Sequence, residues 1–201
     1  MTRIALLCSA SAFIASGAAF AERPIHPVVH ARGDVHRVIA AAPGSTTLYD
    51  QNDEDNGMAI PSENFGHGFD SFDSSGADDF SVPAGHTWKI RQVEVTGVYG
   101  QGTSNPAQSE NVLFYTDNKG LPGNLIAECD NLEGADNQGS YAIKLPKSCK
   151  VRLKGGKRFW ISVVANENNA CCTLWFWETR DVLSNNPAAW ENPNAGYSTG
   201  C

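Results

Sequence analysis

The stretch from Asp78 to Tyr99 constrains the fold of this 201-residue chain more than any other part of it. Pro83-Ala84-Gly85 predicts a tight turn within the stretch. Apolar and polar residues alternate on either side of the turn. The apolar positions are first Phe80, Val82, Trp88 and Ile90, and then shift by one residue to Val93 and Val95. The alternation is typical of β-strands, and the change of phase predicts a β-bulge or twist.

A second stretch, from Val151 to Ala165, repeats this construction around Gly155-Gly156. Further short strands are predicted at 46–50, 110–116, 125–129, 141–145 and 172–178, and a loop at 185–197. The chain thus has roughly nine short strands with turn signals about every 8–12 residues and no helical periodicity. We predict an all-β fold, an antiparallel β-sandwich or jelly-roll-like domain.

The first 21 residues have the features of a secretory signal peptide. Arg3 precedes the short apolar run Ile4–Phe13, and Ala19-Phe20-Ala21 fits the small-x-small cleavage rule. The run is too short for a transmembrane anchor, and no second long apolar run follows. We therefore expect a signal peptide (1–21), a flexible proline-containing arm (22–45) and a β-sandwich domain (46–201). The protein would be secreted, extracellular or periplasmic, without a membrane span.

Acidic residues outnumber basic ones by 22 to 15, which gives a net charge of −7. We expect no nucleic-acid partner for such a chain, because phosphates require a basic surface. The interval 39–87 is an acidic region without Lys or Arg, whereas 144–158 is a basic region without Asp or Glu. These regions could pair in the fold, or the acidic one could bind a structural calcium ion through Asp50, Asp53, Asp55, Asp78 or Asp79.

Five of the six cysteines follow the signal peptide. An oxidising compartment favours disulfides, and we predict one between Cys129 and Cys149, which flank a hairpin-like segment. Cys201 could pair with Cys171 or Cys172, and the odd number leaves one thiol over. The spacing of the cysteines does not match a zinc site.

Several segments together resemble a β-sandwich or jelly-roll module of secreted bacterial proteins. The resemblance rests on these segments: Leu48–Gln51, Ala77–Trp88, Asn111–Asp117, Leu121–Gly123 and Phe159–Val163. Such modules occur alone or attached to extracellular enzymes and surface-anchored proteins, and their ligands are unknown. The resemblance implies the sandwich fold over most of 46–201. Similar modules continue past the position of Cys201 into a final strand, which we expect this sequence to lack.

The chain has no G-x-S-x-G, H-E-x-x-H or P-loop motif. Within the predicted domain only His67 and His86 could act as a histidine base, and neither has an evident orienting partner. We therefore expect a protein that is not an enzyme. The alternative is a hydrolase with two carboxylates facing each other across a cleft.

Aromatic residues give the clearest functional signal. Trp175 and Trp177 fall on one face of a predicted strand, about 7 Å apart, a spacing that suits stacking on successive sugar rings. Trp190 and Tyr197 could extend this surface. The alternative is that the two indoles belong to the core. We expect a secreted, non-catalytic module that binds an extracellular ligand such as a polysaccharide or another cell-surface component, or else a purely structural or protein-interaction domain.

Overall fold

The structure, a computed structural model, describes residues 46–100, 107–167 and 174–198. These residues form β-strands and one short 3-10 helix (Asp70–Phe72), with no α-helix among them. Several antiparallel sheets enclose a common core, which confirms the predicted all-β sandwich class. No helix in the described ranges is long and apolar enough to cross a membrane. The predicted signal peptide and arm lie outside the described residues.

Fourteen strands are present in the described ranges. They are β1 (Asp55–Pro61), β2 (Glu63–Asn64), β3 (Ser75–Val82), β4 (Thr87–Lys89), β5 (Gln92–Val95), β6 (Gly97–Tyr99), β7 (Ser109–Asp117), β8 (Pro122–Leu132), β9 (Ala135–Asn137), β10 (Ser140–Lys144), β11 (Arg152–Lys154), β12 (Lys157–Asn166), β13 (Trp175–Arg180) and β14 (Ala189–Glu191).

One layer of the sandwich is a large sheet in the order β14-β3-β12-β7-β8, with β2 parallel to the end of β12. Three smaller sheets oppose it: β1-β13-β6, β5-β10-β9 and β11-β4. The core lies between the two sets, where the buried Phe114 and Val163 of the large sheet share one cluster with Ile143 and Leu153 of the small ones.

The run from Thr87 to Tyr99 connects the three small sheets. Its segments β4, β5 and β6 pair in turn with β11, β10 and β13, and the chain is irregular between them. Trp88 and Ile90 are buried before the first break, and Val93 and Val95 after it, so the predicted change of phase is present. This fragmentation helps explain why fourteen short strands replace the nine predicted.

The two predicted turns pack against each other. Gly155 donates its N–H to the carbonyl oxygen of His86 at 2.8 Å, and Gly156 donates to Val82 at 2.8 Å. A Cβ on Gly155 would collide with the carbonyl oxygen of Pro83, and Gly156 has a φ of 79°. Glycine is thus required where β3–β4 and β11–β12 pass from one layer to the other.

Two element predictions are wrong. Residues 46–50 are not a strand, because they are exposed and have no partner strand. The predicted loop at 185–197 contains β14, which pairs with β3 through Trp190 opposite Gly76. An edge of a sheet can recruit a short strand whose own sequence carries little strand signal.

Cys129 and Cys149 form the predicted disulfide, with a Cα–Cα distance of 5.7 Å. Cys129 is buried in the core, and the bridge closes a sequence separation of 20 residues. Cys171, Cys172 and Cys201 lie outside the described residues.

A candidate ligand cavity between the sheets

A cavity of about 680 Å³ lies between the large sheet and the opposing small sheets. Its floor comes from β3, β12 and β7, which contribute Phe80, Ile161 and Phe114. The opposite wall comes from β4 and β5, with Trp88, and from β13, with Trp177. Apolar and aromatic side chains therefore dominate its lining, as they do in small-molecule binding sites.

One carboxylate interrupts the apolar floor. Asp78 is opposite Ile161 in the pairing of β3 with β12, and Ile161 is opposite Phe114 in the pairing of β12 with β7. Residues directly opposite each other on neighbouring strands point to the same face of a sheet. Asp78, Ile161 and Phe114 thus form one row across the floor, and all three line the cavity.

The Asp78 carboxylate has few partners of its own. Its Oδ1 accepts the backbone N–H of Asp79 at 2.9 Å. Burial raises the pKa of Asp78 to about 6, and the Asp79 backbone bond, the nearby Arg180 and the Gln51 side chain only partly offset this effect.

Arg180 lies at the same polar end of the cavity. Its guanidinium forms an ion pair with Asp53 at 2.6 Å and donates to Gln51 Oε1 at 3.3 Å and to Ser184 Oγ at 3.1 Å. The Arg180 side chain is only 15% exposed. Its hydrogen bonds and its ion pair at this end of the cavity are thus to Asp53, Gln51 and Ser184, and it acts on Asp78 through its charge.

Residues 46–53, here called the strap, cross from one layer to the other along the cavity. Gln51 Nε2 donates to the carbonyl oxygen of Asp79 on β3 at 3.0 Å, and Asn52 Nδ2 donates to that of Glu94 on β5 at 3.3 Å. Within the described part of the chain the strap makes no backbone–backbone hydrogen bond. Side-chain hydrogen bonds, the ion pair of Asp53 and the contact of Tyr49 with Phe80 hold it, and none of these contacts belongs to a sheet.

Exposed apolar residues surround the mouth of the cavity. Leu48 and Tyr49 of the strap are 40% and 39% exposed, and Val182 and Leu183 after β13 are 47% and 52% exposed. All four line the cavity. They make up four of the nine large hydrophobic residues exposed in the described ranges.

The five aspartates predicted to bind calcium are not brought together. Asp53 pairs with Arg180, and Asp50 and Asp55 accept the backbone N–H groups of Asn52 and Gly57. In the described ranges no group of three or more His, Cys, Asp or Glu side chains is arranged to hold a metal ion. The calcium ion stays a prediction.

Asp78 and Asp79 lie on opposite faces of β3. Asp79 is fully buried away from the cavity, 3.2 Å from Arg158 Nε, and accepts the side-chain amide of Asn186 at 2.6 Å. Burial raises the pKa of Asp79, and the Asn186 and Arg158 contacts partly offset this. Arg158 belongs to the basic region 144–158, so this contact joins it to the acidic region.

The predicted aromatic surface does not form as a unit. Trp175 is wholly buried, packs on Tyr141 at a centroid distance of 5.8 Å and donates its indole N–H to Gly139 at 2.7 Å. It therefore belongs to the core, which was the alternative interpretation, and it offers no surface for a ligand. Trp177 is partly buried and lines the cavity instead.

The other two predicted residues, Trp190 and Tyr197, do meet. Their rings are 5.8 Å apart, and Phe72 contacts Tyr197 at 5.4 Å. The Trp190 indole N–H donates to the carbonyl oxygen of Pro61 at 2.8 Å, so the ring is fixed in place. The rings of Phe72, Trp190 and Tyr197 form a second, partly exposed group, here called the aromatic cluster.

Three buried glutamates lie outside the cavity. Glu63 and Glu110 are both opposite Ala165, and Glu167 is two residues further along the chain, so all lie near one end of the core. Burial and the neighbouring Glu167 raise the pKa of Glu63 to about 9. Within the described residues no side-chain oxygen of Glu63 or Glu167 has a hydrogen-bond partner of normal geometry, and the nearby Trp175 backbone N–H lowers the pKa of Glu63 only in part.

No protein-family model, curated protein or solved structure matches the chain. The resemblance to a secreted bacterial module stays a prediction.

Sequence reasoning missed the cavity itself. Phe80 and Trp88 have the pattern of core residues, and Val182 and Leu183 stand outside any predicted strand. The available signal was Asp78, which shares its strand face with Phe80 and Val82. A carboxylate on the inward face of a strand is an unusual feature that points to a function.

Proposed function

We propose that the protein is a secreted, non-catalytic binding module that takes an apolar small molecule into the cavity between its sheets. The observation that carries this proposal is the cavity of about 680 Å³, lined by Phe80, Trp88, Ile161 and Trp177. Pockets of roughly 300–1,000 Å³ with an apolar lining and a few polar groups are typical of small-ligand sites.

The mouth of the cavity supports the same function. Exposed Leu48, Tyr49, Val182 and Leu183 would contact the outer part of a ligand. The strap would be displaced for entry and would close again through Gln51 and Asn52, whose hydrogen bonds to the two layers are separate from the sheets. Apolar surface that the strap leaves in water would be covered in the complex.

The arrangement of acids favours binding over catalysis. Glycoside hydrolysis by the usual route needs two carboxyl groups placed across the substrate, one of them with a raised pKa. Asp78, which lines the cavity, has a raised pKa, but its neighbours across the sheet are the apolar Ile161 and Phe114 and not a second carboxyl group. Glu63 and Glu167, whose pKa values are also raised, lie in the core and do not line the cavity.

A fluorescence titration with N-phenyl-1-naphthylamine, a neutral apolar dye that brightens in apolar surroundings, tests this function. We expect saturable binding of one dye per chain. Leu183→Asp should weaken binding several-fold, because it places a charge at the apolar mouth. Leu125→Asp is the matched control, since Leu125 is 50% exposed and does not line the cavity. No dye binding, or equal weakening by both variants, would contradict the proposal.

A second candidate function is glycan binding at the aromatic cluster. The observation that favours it is the fixed Trp190 ring beside Tyr197 and the 38% exposed Phe72. Aromatic faces at a surface are suited to stack on sugar rings. Titration with soluble polysaccharides should then change tryptophan fluorescence in the wild-type protein and not in Trp190→Ala. Equal responses of the two proteins would count against this site.

A further inference from the structure

We infer that the ligand of the cavity is an organic cation, with an ammonium group on an apolar body, and that the Asp78 carboxylate binds its charge. This inference rests on the proposed function and names the chemical class of the ligand. It follows from the surroundings of Asp78, the charge of the lining and the aromatic rings of the walls.

Asp78 lies in an apolar row, and among the described residues no salt bridge joins a cation to it, although the nearby Arg180 partly favours its charged form. Ile161 is the neighbour of Asp78 on the same face of the sheet, and Phe114 follows. The nearest arginine, Arg180, is occupied by Asp53 at 2.6 Å and by two hydrogen bonds. An ionised carboxylate in such a setting is costly unless it is paired, so a ligand cation would supply the missing partner.

The charge of the lining has the sign that attracts a cation. Five acidic side chains line the cavity against three basic ones, namely Asp50, Asp53, Asp78, Glu94 and Glu178 against Lys89, Arg91 and Arg180. Lys89, Arg91, Asp50 and Asp53 are exposed, so solvent weakens their influence on the interior. The less exposed charges are still three acids, Asp78, Glu94 and Glu178, against Arg180. A carboxylate ligand would meet this negative field and leave Asp78 unpaired.

The aromatic rings of the walls suit the same ligand class. Tyr49, Phe80, Trp88 and Trp177 all line the cavity. Tyr49 and Trp88 each lie 6.1 Å from Phe80, between ring centroids. Tryptophan and tyrosine faces attract alkylammonium groups, and an aromatic site beside a carboxylate is a typical recognition site for them.

Three ligands with the same ten-carbon chain separate the possibilities: decyltrimethylammonium, decanol and decanoate. We expect isothermal titration of the whole secreted chain, at ligand concentrations below micelle formation, to give affinities that decrease from the ammonium to the alcohol to the carboxylate. We expect the ammonium to bind at least about tenfold more tightly than the alcohol, through its charge and its contact with the aromatic faces. Equal binding of all three ligands would overturn the cation inference and leave the proposed function in place. No binding of any of them would contradict both.

Two variants test whether Asp78 is the residue that selects the ammonium over the alcohol. Asp78→Asn keeps the shape of the side chain and removes the charge, so the preference for the ammonium over the alcohol should disappear while the alcohol still binds. Asp130→Asn is the matched control, because Asp130 is exposed and does not line the cavity. It should keep the preference within about twofold. An unchanged preference in Asp78→Asn would overturn the inference even if the ammonium binds tightly to the wild type.

Discussion

Asp78 lies directly opposite Ile161 in the pairing of β3 with β12, and both residues line the cavity between the sheets. A carboxylate beside an isoleucine on the inner face of a sandwich does not stabilise the fold. A buried carboxylate at this position is explained if Asp78 binds a ligand, because binding sites often retain groups that lower the stability of the ligand-free protein.

Asp78→Asn should therefore stabilise the ligand-free protein at pH 8. Burial raises the pKa of Asp78 from 3.8 to about 6, so the folded state holds this proton more tightly than the unfolded state does. The resulting stability is present below about pH 4 and is lost as the pH rises to about 6. We expect the free energy of unfolding of the variant to exceed that of the wild type by about 1–2 kcal/mol at pH 8 and to differ little at pH 4, measured by urea unfolding. A loss at pH 8 would contradict this account.

Glu63→Gln should remove a larger dependence of stability on pH. The pKa of Glu63 is raised from 4.5 to about 9 by burial and by Glu167, and Glu110 and Tyr197 are further titratable groups near this end of the core. Because the folded pKa is the higher one, the wild type should lose stability between about pH 4.5 and 9, by up to about 1.4 kcal/mol per pH unit.

The Gln variant should show a flatter profile and should exceed the wild type in stability at pH 9. Glu128→Gln, at an exposed position, is the control and should follow the wild type. Parallel wild-type and Glu63→Gln profiles from thermal unfolding at six pH values would show that Glu63 is not the source.

Gly97→Ala should destabilise the protein through Trp175. A Cβ at Gly97 would lie 2.5 Å from Nε1 of this fully buried indole, which is also held by its hydrogen bond to Gly139. Overpacking of this kind costs about 1–3 kcal/mol. Gly76→Ala is a milder comparison, because its Cβ would meet the end of the Ile60 side chain at 3.0 Å. Equal unfolding midpoints for the two variants would refute the claim that Trp175 packs on Gly97.

The double variant Cys129→Ala/Cys149→Ser should lose about 3 kcal/mol of stability, because the bridge closes a 20-residue separation in the unfolded chain. Cys201→Ser, which keeps this pair, is the control. Denaturant unfolding under oxidising conditions gives the comparison. A double variant as stable as the wild type would mean that this bridge does not constrain the unfolded protein.

Local patterns predicted the all-β class and most of the longer strands, and they missed the candidate site. The alternation around Trp88 and the turn at Gly155 depend on neighbours in sequence, so both could be predicted. The cavity depends on how far apart the layers lie between Ile161 and Trp88, which no local pattern contains. Trp175 and Trp177 share a face in the sequence pattern, but only the packing decides that one fills the core and the other lines the cavity.

The indole N–H signals of the five tryptophans, observed by NMR during titration with decanol, test the cavity most directly. Trp88 and Trp177 line it, whereas Trp160, Trp175 and Trp190 do not. Our account predicts saturable shifts of the Trp88 and Trp177 signals, with the other three nearly unchanged. Shifts confined to Trp190 at the aromatic cluster, or no shift in any of the five, would contradict it.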